Sequence, residues 1–365
     1  MRVLVVNAGS SSLKLRLLAD DDTVEQTADL PAGKDGFDVD ALASTVRDWD
    51  RPDVVAHRIV HGGDRFLGAV RIDDDVRAAL QALTDLAPLH QPKSLAGLDA
   101  VTPLNPDATP VACFDTSFHT SIPPAASTYA VPLEWRRRYA IRRYGFHGLS
   151  HAYASRRAAE MVERPVEELR IVTCHLGAGA SLAAVAGGRS VDTTMGFTPL
   201  EGLVMATRSG NVDPGLVLWL EEHEHLTPHE VSIALEHESG LKGLAGTDDM
   251  REVEAAVARG DERAQLAMDV YVHRLSAGIA AMTASTGGLD VLVFTGGVGE
   301  RSPMVRRLAA DKLAYLGVAV GDDRNQSGPD DRDISGGEAG VRTLVIAARE
   351  DLQMARESRT LLSGD

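Results

Sequence analysis

Only two cysteines occur in the 365 residues, Cys113 and Cys174. Each sits at the end of an apolar, strand-like run, which excludes a disulfide scaffold and predicts two buried thiols. No apolar run reaches the ~18 residues that a membrane-spanning helix needs. Asn7 and three serines break the N-terminal apolar run at once, so a secretory leader is not expected and the chain reads as soluble and cytoplasmic. Positive charge is in deficit, with 37 basic against 53 acidic residues and a net charge of −16. Such a surface repels nucleic acid and anionic membranes, so an anionic substrate has to meet a local basic pocket. Two phosphate-binding signatures are missing as well: no G-x-x-x-x-G-K-[ST] loop, and no G-x-G-x-x-G opening a helix. The zincin pattern also fails, because Gly148 stands where a glutamate would follow His147.

What is present reads as a duplicated α/β chain. The length predicts two domains of roughly 150 to 200 residues. Residues 2–7 are apolar and 13–18 alternate, with Ala-Gly-Ser-Ser-Ser between them, the pattern of a hairpin. A second copy runs from Ile171 to Val185, and aligning Ser12-Leu13 with Ser181-Leu182 brings the two into register. A third Gly-rich turn, Gly296–Gly299, follows the strand-like Asp290–Phe294. In Glu262–Ser285, Val272, Leu275, Ile279 and Met282 share one helix face, and Gly287-Gly288 ends it. Arg342–Ala347 reads as a last strand and Glu350–Leu362 as a terminal helix. Asp20–Asp22, Asp73–Asp75 and Asp330–Asp333 read as polar turns or loops. The histidines at 223, 225, 229 and 237 read as a solvated helix end or loop in preference to a metal site.

Several residues carry candidate chemistry. Gly9 and the serines at 10, 11 and 12 let a backbone approach an anion closely, with Lys14 two residues on. Arg58 ends an apolar strand beside Gly62-Gly63; its planar fork suits a carboxylate or phosphate, or else a structural ion pair. Arg208, in Thr207-Arg-Ser-Gly210, has the same two readings. Asp115 lies just past the strand Thr109–Phe114, where α/β folds place catalytic groups; it either positions Mg²⁺ or a substrate oxygen, or caps the next segment. His147, beside Gly148, is suited to donate a hydrogen bond to a transferring phosphoryl group, whereas His151 reads as structural.

Taken together, the Asn7–Lys14 turn, His57–Gly63, Ala87–His90, Phe114–His119, Arg142–Gly148, Cys174–Gly177, Val191–Gly202, Asp249–Arg251 and Phe294–Glu300 resemble the acetokinase family. The resemblance runs from Val3 to Arg356. It implies two duplicated ribonuclease H-like, actin-like ATPase domains around a central cleft, residues 1–117 with 351–365 and residues 118–350. It implies direct in-line phosphoryl transfer from ATP to acetate. By similarity, Asn7, Ser10, Ser12 and Lys14 line the phosphate path, and Arg58 and Arg208 hold acetate and the shared phosphoryl group. His147 contacts that group, with His90 nearby. Asp115 and Glu350 position Mg²⁺ close to Asn7, Mn²⁺ being able to substitute. His175, Gly177 and Gly179, then Asp249, Met250, Arg251, Gly296, Gly297, Val298, Gly299 and Arg301, hold the nucleotide. The acid pocket is Val60, Leu89, Phe146 and Pro199, where Val60 implies a methyl-sized space. Propionate should then be a poorer substrate and not an excluded one, since one methylene is worth only ~1–3 kcal/mol. A homodimer is implied by the resemblance alone.

The chain departs from the family pattern at three places. Ala178 stands where an asparagine is usual, Arg301 replaces another asparagine, and the C-terminal motif reads Ala347-Ala-Arg-Glu-Asp-Leu352. The alternatives left open are a propionate or butyrate kinase, and a relative that binds nucleotide or acyl phosphate without turnover.

Overall fold

The computed structural model describes residues 1–8, 12–33, 36–84, 91–328 and 330–364. The chain divides into two compact units: Met1–Thr120 with Phe146–Tyr153 and Arg349–Asp365, and Ser121–Gly145 with Ala154–Ala348. Relative to the expected boundaries at 117 and 350, the difference that matters is Phe146–Tyr153, which sits with the first unit. Its Leu149 packs in the core of that unit, and the Gly148 N–H donates to the Asp115 carbonyl at 2.8 Å.

In the first unit β1 (Val3–Ala8) is apolar on both sides and lies mid-sheet. It pairs antiparallel with β2 (Ser12–Leu18), and β2 with β3 (Val24–Gly33), which carries the short β4 (Gly36–Phe37). On its other side β1 runs parallel to β5 (Val54–Ile59) and β5 parallel to β7 (Thr109–Phe114); β6 (Val70–Arg71) closes the edge antiparallel to β7. The period-2 alternation sends Val3 and Val5 to one face, with Met354 and Ala355 of the helix Glu350–Ser363. Leu4, Val6, Leu13, Leu15 and Leu17 go to the other, against Leu42 and Val101. Each such side chain contributes about 1.5–3 kcal/mol on burial.

The second unit repeats this order. Strand β8 (Arg170–Leu176) pairs antiparallel with β9 (Ala180–Ala186), and β9 with β10 (Arg189–Thr193). Parallel to β8 runs β11 (Val291–Thr295), then β13 (Arg342–Val345), with β12 (Arg332–Asp333) antiparallel at the edge. Even the edges match in register. Val70 faces Ala112 where Val54 faces Thr109; Arg332 faces Val345 where Val291 faces Arg342. This is the duplicated ribonuclease H-like, actin-like architecture that the motifs predict. The helix Glu262–Thr286 covers β8, β9 and β10 with the predicted face, Val272, Leu275, Ile279 and Met282 buried; Asp261 caps its start and Gly287, at φ 71°, its end.

The hairpin alignment is corrected by the strand registers. Ala8 pairs Leu13 across four residues, whereas Leu176 pairs Ala180 across three. Asn7, opposite Lys14, therefore corresponds to His175, opposite Ser181. The shared serines mislead because the turns differ in length. The third Gly-rich turn is instead a short helix, Gly296–Arg301. Asp73 caps a helix whose first turn holds Asp74 and Asp75, and Arg332–Asp333 form a strand, so these acidic runs are not merely loops. Both cysteines are buried free thiols, their pKa values pushed up by burial. Among the described residues no helix is long and apolar enough to cross a membrane.

Candidate active site

Three neighbouring strands of the first sheet end in polar residues that converge. Arg58, at the end of β5, donates from Nε and Nη2 to Asp115 just beyond β7, at 3.0 and 2.7 Å. Its Nη1 donates at 3.1 Å to Asn7 Oδ1 on β1. Asp115 is only 2% exposed. Burial opposes the charge on Arg58, but the Asp115 carboxylate with its hydrogen bonds, and Glu350 beyond it, more than offset this and raise the guanidinium pKa. The pair is an ion pair, and it also aims the guanidinium.

The segment after Gly145 is fitted tightly beneath Asp115. A Cβ on Gly148 would lie 2.3 Å from the Asp115 carbonyl oxygen, so no other residue fits there. His147 takes φ 56°, a left-handed conformation that costs a non-glycine residue of the order of 1 kcal/mol. Its carbonyl accepts from the His151 N–H at 2.9 Å, opening the helix Gly148–Met161. His119 bonds the Phe146 carbonyl at 3.0 Å, and its ring meets that of His151 edge-on. His151 is wholly buried. Val60 and Phe146 are buried too.

Asn7, Asp115 and Glu350 all belong to the first unit. As an amide oxygen and two carboxylates, they are a hard-oxygen set of the kind that suits Mg²⁺ completed by phosphates and water. Among the described residues no group of three or more His, Cys, Asp and Glu is placed to hold a metal. Arg349, next to Glu350, is engaged by Asp351 at 2.9 Å.

In the second unit Arg208 Nη1 donates to the Pro199 carbonyl at 3.3 Å, and burial lowers its pKa, with Glu236 pulling the other way. Its loop is pinned by Thr207 Oγ1 donating to the Glu236 carbonyl and by Ser209 N–H donating to the Leu235 carbonyl. Gly177, Asp249, Met250, Arg251, Gly297, Val298 and Arg301, scattered over 125 positions of sequence, line one cavity of about 470 Å³. That volume falls in the range of small-molecule sites. Asp249 caps the helix Met250–Ala258 and is held at a pKa of about 2 by Arg251, through its side chain first and its N–H second. A Cβ on Gly296, at φ 76°, would lie 2.9 Å from the Leu176 carbonyl oxygen, while one on Gly297 would meet nothing within 4 Å. His175 ends β8 near the turn, and Gly179 N-terminally precedes β9. Ser12 and Lys14 lie on β2; Ser10, Leu89 and His90 fall outside the described residues.

The sequence reading missed other parts of this wall. Ala206, Leu241, Glu254, Tyr271 and Ser302 line the same cavity, together with Ala178, the departure noted above. Arg306, fully buried, donates to the carbonyls of Gly299 and Glu300 at 2.8 and 2.9 Å and to Asn325, tying off the short helix. Burial first, and Arg332 next, bring its pKa down to about 10. A basic residue inside an otherwise helical charge pattern gives no sequence signal of this.

The family model "Acetokinase family" matches residues 38–356. The chain belongs to the acetokinase family. An acetate kinase of Nostoc punctiforme is 49% identical over 311 residues, covering 85% of this chain and 76% of that one. A Porphyromonas gingivalis acetate kinase structure superposes with a TM-score of 0.89 at 35% identity, covering 99% of each chain. A propionate kinase structure from Francisella tularensis gives a TM-score of 0.90 at 33% identity, covering 98% of each. Membership makes the chain an enzyme of the phosphotransferase class and its fold that of the family.

Proposed function

We propose that the protein transfers the terminal phosphoryl group of ATP to acetate, reversibly and with Mg²⁺, giving acetyl phosphate and ADP. The observation that carries this reading is the convergence of Asn7, Arg58 and Asp115 from three strand ends on one aimed guanidinium. The cavity of the second unit supports it with a volume and lining suited to adenosine.

Phosphoryl transfer leaves the protein little covalent work, so positioning and charge stabilisation dominate. Acetate is already ionised at pH 7, and no residue has to remove a proton from it. Arg58, held by Asp115 and Asn7, and Arg208, held by its loop, neutralise charge on the acetate and on the equatorial phosphoryl oxygens. His147 donates a hydrogen bond to the same group. Asp115, Asn7 and Glu350 would hold Mg²⁺, which when bound shields the phosphate charges from the incoming carboxylate. Ser10, Ser12 and Lys14 line the phosphate path, with His90 close by. Val60, Leu89, Phe146 and Pro199 enclose the acetate methyl. His175, Gly177 and Gly179 of the second hairpin, with Asp249–Arg251 and Gly296–Arg301, hold ATP. Gly297 leaves the cavity open, which favours ATP over inorganic pyrophosphate as donor.

Self-association through the second unit is part of the proposal. Val212, Leu216, Leu218, Trp219 and Ile233 are all at least 38% exposed along and beside the helix Pro214–His223. Apolar surface of that kind marks a contact face.

The test is acyl-phosphate formation from acetate, propionate and butyrate with ATP and Mg²⁺, trapped as the hydroxamate, with pyrophosphate as a donor control. Fast turnover on acetate is expected. Preference for a longer acid would transfer the assignment to a propionate or butyrate kinase. Nucleotide binding without turnover on any acid would make the chain a binding relative.

A further inference from the structure

The loop Met195–Gly202 is fastened by side chains that no step above uses. Glu201 accepts on Oε1 from Arg143 Nη2 at 2.6 Å and on Oε2 from the Tyr129 hydroxyl. The Tyr129 oxygen accepts in turn from the Phe197 N–H at 3.0 Å. Arg143 Nη1 reaches the carbonyls of Thr194 and Met195, both at 3.1 Å, and its guanidinium lies over the Tyr129 ring, 5.4 Å from the centroid. Gly196 makes the arrangement sterically feasible: a Cβ there would lie 1.7 Å from Glu201 Oε2 and 2.1 Å from the Tyr129 oxygen. The N–H groups of Tyr144 and Gly145 then close on the Gly196 carbonyl at 3.0 and 3.3 Å. Inside this clasp sits Pro199, whose carbonyl is the acceptor for Arg208.

We infer that Tyr129, Arg143 and Glu201 are positioning residues that fix Pro199 and Arg208, and thereby set how long an acid the enzyme accepts. The inference rests on the proposed acyl-phosphate chemistry and deepens it. The clasp bonds the loop from both ends, through Thr194, Met195 and Phe197 on one side and Glu201 on the other. Freeing either end lets the Pro199 wall retreat while leaving Arg58, Asp115 and the nucleotide cavity untouched. Burial first, then the bond to Glu201, raise the Tyr129 pKa, so the phenol remains the donor throughout the working pH range. Selectivity against one methylene amounts to about 10- to 200-fold when a wall is firm. A movable wall forfeits part of that.

The measurement is the ratio of kcat/KM for propionate to that for acetate, with the KM for ATP alongside, in wild type, Tyr129→Phe, Glu201→Gln and Arg143→Lys. The ratio is expected to rise at least ~5-fold in Tyr129→Phe and Glu201→Gln, with the KM for ATP within ~2-fold. General loosening would instead lower both acids and ATP use together, and that result overturns the inference, as does a ratio that stays within 2-fold of wild type. If Glu201→Gln does not fold, Tyr129→Phe and Arg143→Lys decide by the same ratio. A wild type that turns over neither acid removes the proposed function by itself. Titration calorimetry then reads the acid ratio from binding, and an unchanged ratio removes the clasp as well.

Discussion

The two units share one frame and carry different residues at its strand ends. Carrying the strand registers across, Asn7 corresponds to His175, Arg58 to Thr295, and Asp115 to Ala348. In the first unit those three positions build a charged cluster. In the second they hold an imidazole, a buried hydroxyl with no hydrogen-bond partner and a methyl group, and the chain after β11 turns into a helix beside a cavity. The sheet determines where strand ends meet, and the residues at those ends determine whether the meeting place is a charged cluster or lies beside a cavity. The scaffold occurs twice, and the Asn7–Arg58–Asp115 cluster stands on one copy of it.

The largest expected effect breaks the comparison at its charged side. Asp115→Ala removes the partner of Arg58, whose side chain is only 19% exposed. Turnover should fall by ~10²-fold or more, and stability by about 3 kcal/mol for the guanidinium left buried. Thr295→Val, at the position matching Arg58, should change turnover by less than ~2-fold and leave stability level or slightly higher, because an unsatisfied buried hydroxyl is lost. Hydroxamate assays and thermal unfolding of the two variants, side by side, check this; equal damage in both would show that the units are not specialised as described.

Next in size is the cavity. Gly297→Leu should raise the KM for ATP at least ~10-fold with a Tm close to wild type, since its side chain enters open space. Gly296→Leu, forced against Leu176 at φ 76°, should fail to fold stably. Nucleotide titration and circular dichroism distinguish the two.

Acid gives a smaller, graded contrast. In the first unit burial holds His57 at a pKa of about 3 and His61 and His119 at about 4. These values lie below the unfolded 6.5, so the fold refuses protons that the unfolded chain accepts. Stability is therefore full above pH 6.5 and declines as pH falls towards 3, by at least ~3 kcal/mol at pH 4. Hydrogen exchange at pH 4.5 should show residues 1–120 opening before residues 154–348. Simultaneous opening would overturn this difference.

Much of this was legible in the sequence, and for identifiable reasons. Both hairpins announce themselves because an apolar run, a small-residue turn and an alternating run need no tertiary context. The candidate nucleotide residues are legible as motifs, and seven of them line one cavity. The register of the duplication was not legible, since two turns of unequal length can share a serine at different depths. The helix at Gly296–Arg301 was hidden by glycine, whose poor helix propensity reads as a turn; the packing of Gly296 on Leu176 and the carbonyl bonds from Arg306 override it. The clasp of Tyr129, Arg143 and Glu201 spans 72 residues and leaves no local signature.

The placement of Arg349–Asp365 in the first unit bears on how the chain is made. Met354 and Ala355 complete one face of the β1–β5–β7 core, and Cys113 Sγ lies 3.8 Å from the Met354 carbonyl. Domains ordinarily fold in the order they leave the ribosome. Here the first unit emerges with one side of its sheet bare, and the helix that covers it follows the second unit in the chain. The second unit, nearly continuous from Ala154 to Ala348, has all its strands in hand before then. The unit whose strands come first in this order is therefore the one whose sheet is covered later.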